Sequence, residues 1–505
     1  MRPSARHVPV SLPALALLAI FAACARNDAD SATKDSPAAA AASGVSASGA
    51  KVPLTSASAE AKTLYARGRD LSEQLRTQDA RKLFEEAVAK DSTFAMAHYS
   101  LALSSPSTNE FIRHLGRAVA LAPNASEGER LQILATEAGA KANPAKSLQY
   151  TEELVAKYPQ DERAHLNLGN AYTGRQMNDQ AIAEFRKAIE INPSYSPAYN
   201  SLGYAYRAVG NNAEAEKAFK KYIELVPNDP NPYDSYAELL MKMGRFDESV
   251  AQYRKALSID PNFGSSHVGI AADLMYAGKP DAAIAEAQTL YDAARDDGDR
   301  RSALFAQAVT YLDAGKTAQA SSKMQQLYAV AAKGADTATM AGDATAMGDV
   351  LLDAGRADDA RKRYDQSLAL MTKSGFPAEV KEDATLADHY NKARVALAKK
   401  DLATAKSEAT AYMQGAEAKQ NNFRIRQAHE LAGTIALQEK RADDAITELG
   451  KANQQDPYVI YMTAMAHMAK GDTAKAKELA QQAASSYVLP TLHYAFIRTK
   501  AKHAG

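Results

Sequence analysis

The strongest constraint on the fold of this chain is a set of residue types that returns every 34 residues between Glu162 and Pro261. The first round comprises His165, Leu168, Gly169, Tyr172, Ala181, Phe185, Ala188 and Pro193. The second comprises Tyr199, Leu202, Gly203, Tyr206, Ala215, Phe219, Tyr222 and Pro227. The third comprises Tyr233, Tyr236, Ala237, Leu240, Ser249, Tyr253, Ala256 and Pro261. A period of this length is typical of a solenoid, in which each unit is a helix pair that buries its apolar face only against neighbouring units.

Each repeated position has a physical reason when Glu162 is counted as position 1 of its unit. Small residues at positions 8 and 20 let the two helices of a unit approach closely, while large residues at positions 4, 7, 11 and 24 fill the space beside that contact. Proline at position 32 lacks the N–H that a continuing helix needs, so it ends the second helix. Glycine at position 15 predicts a left-handed residue where the first helix ends. The glycines at this position are Gly210, Gly244, Gly278, Gly315, Gly355 and Gly471.

This pattern of small, large, aromatic and proline positions resembles the tetratricopeptide repeat. The resemblance implies an all-α fold, a right-handed α-solenoid of stacked helix-turn-helix units, and about twelve units can be traced. We divide the chain into divergent repeats at 59–159, three regular repeats at 160–262, divergent repeats at 263–488, and a capping helix with a short tail at 489–505. The absence of Trp and the presence of only 12 Phe in 505 residues agree with helices that cross at small residues.

The N-terminal residues carry the pattern of an export signal. Basic residues including Arg2 precede an apolar run from Val8 to Phe21, which is too short to span a membrane as a helix. We therefore predict a signal peptide at 1–23. Cys24 is the only cysteine, and its place after two small residues resembles the lipid-attachment site of bacterial lipoproteins. The alternative is an ordinary signal peptide that is cut near Ala23.

Residues 24–58 consist mostly of Ala, Ser, Gly and Asp, so they bury little surface, and we predict a disordered tether. Signal, cysteine and tether together predict a lipoprotein of the bacterial cell envelope. By analogy with such lipoproteins, Ala25 after the cysteine favours an outer membrane lipoprotein that faces the periplasm. A secreted or soluble periplasmic protein is the alternative.

Fragments that imitate catalytic motifs fail on their spacing. The fragment AGKT that ends at Thr317 would need a glycine where Thr310 stands to form a phosphate-binding loop. The His-Glu pair that begins at His429 would need a second histidine where Gly433 stands to bind zinc. We therefore predict no enzymatic activity, no cofactor and no metal site.

Histidine positions and net charge exclude two further classes of function. Five histidines fall at position 4, where the family usually carries a large packing residue, and we interpret them as packing residues. They are His98, His165, His267, His389 and His429. Lys plus Arg equals Asp plus Glu at 60 each, so the chain has no basic footprint for nucleic acid.

The resemblance implies that the concave side of the solenoid, lined by first helices, binds extended peptides. Carried over to the regular repeats, the lining residues are Arg163, Asn167, Asn170, Asn200, Tyr204, Arg207, Asp234 and Glu238. Ser201 and Ser235 interrupt the series of basic and Asn residues that a carboxylate clamp requires, so we do not expect such a clamp.

Our leading hypothesis is a non-enzymatic scaffold, tethered to a membrane through a lipid on Cys24, that binds protein or peptide partners in this groove. The alternative is a lipoprotein that binds a polysaccharide or peptide ligand there and assists its export or uptake. The sequence leaves the oligomeric state open.

Overall fold

The computed structural model describes residues 51–74, 76–105, 107–141 and 143–504. The predicted signal peptide, Cys24 and the tether as far as residue 50 lie outside these ranges, and they remain predictions. Of the helices in the described ranges, none is both long enough and apolar enough to cross a membrane.

The described residues form 25 α-helices and one short 3-10 helix, Ala122–Asn124. The first twelve are α1 (Ala59–Glu73), α2 (Thr77–Lys90), α3 (Ala95–Leu103), α4 (Thr108–Leu121), α5 (Glu127–Ala140), α6 (Pro144–Lys157), α7 (Glu162–Gly174), α8 (Asn178–Ile191), α9 (Ser196–Ala208), α10 (Asn212–Leu225), α11 (Asn231–Lys242) and α12 (Phe246–Ile259). The others are α13 (Gly264–Tyr276), α14 (Pro280–Asp292), α15 (Asp297–Asp313), α16 (Thr317–Lys333), α17 (Thr337–Asp353), α18 (Ala357–Lys373), α19 (Ala378–Ala398), α20 (Leu402–Ala418), α21 (Asn422–Gln438), α22 (Ala442–Lys451), α23 (Pro457–Lys470), α24 (Thr473–Ala484) and α25 (Leu492–Ala504).

Helices α1 to α24 pack as consecutive pairs, α1 with α2 through α23 with α24, and each pair packs against the next. We number these pairs as units 1 to 12, and we call the odd-numbered helix of each pair its first helix. Helix α25 has no such partner. The described chain is thus an all-α solenoid of helix pairs, which confirms the predicted fold class.

Small residues allow the close crossing within each unit, as predicted. A Cβ atom added to Gly203 would lie 2.6 Å from Cε1 of Phe219, and one added to Gly169 would lie 2.4 Å from Cε1 of Phe185. The aromatic ring at position 24 therefore fills the space that a side chain at position 8 would need. Ala215, at position 20 of unit 5, is fully buried.

The turns within units use left-handed backbone, as predicted for the glycines at position 15. All six have positive φ, for example +77° at Gly210 and +71° at Gly315. Gln176, Lys400 and Lys440 occupy the same position in units that lack the glycine, and they also have positive φ. The repeat therefore fixes the geometry of the turn. In these three units a residue with a side chain adopts the left-handed conformation, which strains its backbone.

Successive turns of the solenoid touch each other. The Thr108 N–H donates to Asp336 Oδ2 (3.4 Å), which brings unit 2 to unit 9. Gln176 Nε2 donates to Asn453 Oδ1 (3.4 Å), which brings unit 4 to unit 11. Because each contact joins units seven apart in this numbering, about seven units complete one superhelical turn.

The predicted disordered tether is wrong for residues 51–58, which lie against the N-terminal ends of the first helices in units 3 and 4 and against the C-terminal end of the second helix in unit 1. The Val52 N–H donates to Asp161 Oδ2 (2.8 Å) and the Thr55 N–H to Glu129 Oε1 (2.9 Å). The Ser56 hydroxyl donates to an oxygen of Asp91 (2.5 Å). The composition did not predict that this segment is ordered. Few apolar side chains are needed to hold it, because acidic groups of distant units accept hydrogen bonds from its backbone N–H groups.

Candidate binding groove

First helices form the inner layer of the solenoid. The first helices of neighbouring units from α7 to α15 pack against one another, whereas their second helices approach each other less closely. The layer with the shorter separation lies on the concave side of a curved stack, so the surface of the first helices is the groove. This places position 13 of units 7, 8 and 9, namely Tyr276, Asp313 and Asp353, at one edge of the groove.

The groove of units 4 to 6 is polar, and we call it the polar stretch. The Tyr204 hydroxyl donates to Glu238 Oε1 (3.0 Å), and Arg207 Nη1 donates to Glu238 Oε2 (2.9 Å). The Arg207 guanidinium also lies over the Tyr204 ring, 4.6 Å from its centroid. Burial and the Glu238 carboxylate raise the pKa of Tyr204 well above its ordinary value, so this hydroxyl stays protonated and donates. These three predicted groove residues therefore form one cluster that bridges units 5 and 6.

Three predicted asparagines flank this cluster, and their amide groups do not form all their possible hydrogen bonds within the fold. Asn170 is exposed, and Asn167 and Asn200 are half-buried. Oδ1 of Asn200 is buried and has no hydrogen-bond partner among the described residues. Each amide offers both donors and an acceptor, which suits the backbone of an extended chain.

The remaining two predicted groove residues are held by contacts within the fold. Arg163 Nε donates to Glu73 Oε1 (2.8 Å) of unit 1, and its guanidinium lies over the Tyr195 ring (5.2 Å). Asp234 is only 4% exposed and accepts a hydrogen bond from the Ser266 hydroxyl (2.7 Å). Burial, together with the nearby Glu238 carboxylate, raises the pKa of Asp234. Burial therefore keeps Asp234 from a ligand, and Arg163 already has an acidic partner.

The groove becomes apolar in units 7 and 8. Position 9 is Ala272 in unit 7 and Val309 in unit 8, where units 5 and 6 carry Tyr204 and Glu238. Both apolar residues are buried, as is Leu312 at position 12. We call the groove of units 7 to 9 the covered stretch, because α25 lies over part of it.

Helix α25 packs against the first helices α15, α17 and α23, in addition to α24 which precedes it. Its buried apolar side chains belong to the same hydrophobic cluster as Val309 and Leu312, and they are Leu492, Tyr494, Ala495, Ile497 and Ala501. Arg498 forms two hydrogen bonds with the Asp313 carboxylate, and Lys500 Nζ pairs with Asp353 Oδ1 (2.7 Å). The helix predicted at 489–505 is present, but it is seated on the inner layer of the solenoid.

Sequence reasoning also missed a recurrent contact of the histidines at position 4. His165 Nδ1 lies 2.6 Å from Glu184 Oε2, and His267 Nδ1 lies 2.5 Å from Glu286 Oε1. The same contact joins His389 to Glu408 (2.6 Å) and His429 to Glu448 (2.7 Å). The two residues are 19 apart in all four pairs, and this spacing is the signal that would have found them. These histidines thus link the two helices of a unit. Among the described residues, no group of three or more His, Cys, Asp or Glu side chains could hold a metal ion.

Family comparison supports the repeat assignment. Models of the tetratricopeptide repeat match residues 65–105, 169–210, 196–229, 230–263 and 458–487. The chain therefore contains tetratricopeptide repeats, and proteins with such repeats generally mediate protein–protein interactions. No protein of curated function matches the chain in sequence.

Solved tetratricopeptide-repeat structures align with parts of the chain. A thermophilic protein of Thermus thermophilus is 24% identical, covers 42% of this chain and 98% of its own, and gives a TM-score of 0.28. A protein from Parabacteroides merdae is 15% identical, covers 54% of this chain and 94% of its own, and gives 0.35. YrrB, described as having an unusual peptide-binding site, is 17% identical, covers 36% of this chain and 91% of its own, and gives 0.26.

Proposed function

We propose that this protein is a non-enzymatic scaffold that binds an extended segment of a partner protein along the polar stretch. The observation that carries the proposal is the cluster of Tyr204, Arg207 and Glu238, which joins two successive first helices and is flanked by partly exposed amides. Stacked units repeat this surface at regular intervals, which matches the regular spacing of backbone groups in an extended chain.

Side-chain chemistry supports a polypeptide ligand. Asparagine amides donate and accept hydrogen bonds as backbone peptide groups do, and tyrosine and arginine are the residue types that most often dominate protein interfaces. Because Arg207 is already neutralised by Glu238 at 2.9 Å, the cluster does not attract a free carboxylate. The partner segment is therefore expected to bind through its backbone and its side chains.

The experiment is affinity capture from envelope extracts, followed by a binding measurement with the purified partner. The test variant carries Asn167→Ala, Asn170→Ala and Asn200→Ala, which leave the Tyr204 cluster intact. The control variant carries Lys187→Ala, Glu190→Ala and Lys221→Ala, which are side chains of second helices with 39%, 70% and 46% exposure. We expect the test variant to weaken binding at least tenfold and the control to bind as the wild type does.

The outcomes separate the proposal from its alternatives. Unchanged binding by the folded test variant would place the partner site elsewhere on the solenoid. Capture of a glycan without a stoichiometric protein would favour the ligand-binding lipoprotein that assists export or uptake.

The proposal includes a lipid anchor on Cys24 and a tether that ends at the solenoid beside unit 4. Its support is the lone cysteine after the apolar run, together with the contact of Lys51 Nζ with Glu162 (2.7 Å), which holds the end of the tether. We expect the wild-type protein to partition with outer membranes and Cys24→Ser to release it or leave the signal uncut. Unmodified mature protein free in the periplasm would contradict the anchor and leave the groove proposal standing.

A further inference from the structure

Helix α25 occupies a surface that the repeats offer to ligands. It approaches the first helices of units 8, 9 and 12 and belongs to none of the twelve pairs. The chain reaches it through residues 485–491, which are not helical. Helix α25 therefore covers the last unit through α24 and also reaches across the groove to units 8 and 9, where it lies as a ligand would.

The covered stretch presents apolar side chains that suit the apolar face of an amphipathic helix. The side chains at positions 6, 9 and 12 of unit 8 are Ala306, Val309 and Leu312, which are apolar and buried in one cluster with residues of α25, and we call the surface that they form the channel. Helix α25 presents aliphatic and aromatic side chains to this channel, among them Tyr494 and Ile497. An amphipathic helix in an apolar groove is a common mode of peptide recognition.

One buried ion pair sets the alignment of the helix along the channel. Arg498 and Asp313 expose only 6% and 7% of their side chains, and the Arg498 guanidinium also lies over the Tyr276 ring, 5.4 Å from its centroid. A buried carboxylate requires a cation with matching geometry, and a guanidinium supplies two parallel hydrogen bonds. A helix without an arginine at this place would leave Asp313 buried and unpaired.

We propose that α25 is an exchangeable internal ligand that closes the covered stretch, and that a partner's amphipathic helix with an arginine on its apolar face takes its place. The covalent link gives α25 a high effective concentration at the channel, so a partner helix needs greater intrinsic affinity or help from contacts elsewhere. The polar stretch lies next to the channel, and a partner bound there would supply such help. The inference does not depend on that partner, because α25 itself defines the channel.

Hydrogen exchange on the unmodified full-length protein tests whether α25 leaves the groove. We expect the amides of α25 to exchange through a local opening, at least tenfold faster than those of α15, without unfolding of the units. Exchange of α25 only at the rate of global unfolding would overturn the proposal. This measurement needs no variant, so it stands even where a substitution prevents folding.

A synthetic peptide tests the chemistry of the channel. The probe is fluorescein-labelled peptide 490–504, offered to the full-length wild type and to the full-length Arg498→Asp variant, whose own helix is repelled by Asp313. We expect saturable one-to-one binding to the variant, about tenfold weaker binding to the wild type, and about tenfold weaker binding when the peptide carries alanine for Arg498. Full-length His503→Asp is the matched control, because His503 is an exposed residue of the same helix. It should behave as the wild type does.

Two results would contradict the exchange. Failure of the peptide to bind the Arg498→Asp variant, with the helical content of that variant intact by circular dichroism, means that the channel does not accept a helix from another molecule. Equal binding to the wild type and the variant means that the peptide binds outside the channel.

Discussion

The polar stretch in units 4 to 6 and the covered stretch in units 7 to 9 share a backbone and differ in what they present to the groove. Gly210 and Gly315 end first helices in the two stretches with φ of +77° and +71°. At position 9, the polar stretch carries Tyr204 and Glu238, and the covered stretch carries Val309. The repeat therefore specifies the helix pair, while the groove positions are free to specify the ligand.

The largest expected difference between the two stretches is the cost of breaking their ion pairs. Asp313→Ala leaves Arg498 buried and unpaired, and we expect a loss of about 3–5 kcal/mol in the free energy of unfolding. Glu238→Ala breaks a pair whose Arg207 side chain is 25% exposed, and we expect about 1–2 kcal/mol because water solvates the freed groups. Urea unfolding of both variants checks this. Equal losses would mean that α25 does not seal its stretch from water.

Overpacking the crossing of the two helices within a unit should lower the free energy of unfolding by the same amount in both stretches. Gly203 and Ala308 occupy position 8 in units 5 and 8, and both are buried. We expect Gly203→Leu and Ala308→Leu each to lower the free energy of unfolding by about 1–3 kcal/mol, because either side chain overpacks the crossing. Thermal unfolding measures both. A response at only one of the two sites would show that the units do not share one packing pattern.

A buried carboxyl at the boundary of the two stretches predicts a dependence of stability on pH. Asp273 of α13 is 1% exposed, and its oxygens have no hydrogen-bond partner among the described residues. Burial, with a smaller effect of Asp247, raises the pKa of Asp273 to about 7. The folded state thus binds this proton more tightly than the unfolded state, so its contribution to stability is lost as pH rises from about 4 towards 8.

The matching test is Asp273→Asn, which keeps the shape of the side chain and removes its charge. We expect the variant to match the wild type near pH 4 and to exceed it by about 1–3 kcal/mol at pH 8. Unfolding temperatures at the two pH values measure the difference. Parallel pH profiles of the two proteins would show that Asp273 is solvated in the folded state.

The smallest expected effects concern the turns. No atom lies within 4 Å of a Cβ added at Gly210 or Gly315, so alanine there costs only the strain of positive φ. We expect Gly210→Ala and Gly315→Ala each to destabilise by about 1 kcal/mol, and Lys400→Gly, at an exposed residue with positive φ, to stabilise by a similar amount. Urea midpoints measure these shifts. A much larger loss at Gly315 would mean that α25 constrains the turn as well as the groove.

Local features of this fold were predictable from the sequence, and distant ones were not. The helix pairs and the turn at Gly210 follow from residues within one unit. The hydrogen bond of Val52 with Asp161 joins residues 109 apart, and the pairing of Arg163 with Glu73 joins residues 90 apart. A repeat pattern contains no information about such partners, because they depend on how the superhelix closes on itself.

The same distinction applies to the groove. The resemblance indicated which residues of units 5 and 6 lie on its surface, and Tyr204 and Glu238 are found together there. It did not indicate that Asp234 is buried against Ser266 of the next unit. The seat of α25 was also missed, although the apolar residues at groove positions of units 7 and 8 are visible in the sequence.

The most direct test of the central claim compares the accessibility of one groove position in the two stretches. Ser201 and Ala306 both occupy position 6, and each tolerates cysteine with little change in volume; Cys24→Ser removes the only natural cysteine. Ser201 is half-buried and Ala306 is fully buried. We expect the Ser201→Cys thiol to react with a maleimide within about tenfold of its rate in denaturant, and the Ala306→Cys thiol to be protected at least a hundredfold in the native protein. Equal rates at the two positions would contradict the division of the groove into an open polar stretch and a stretch closed by α25.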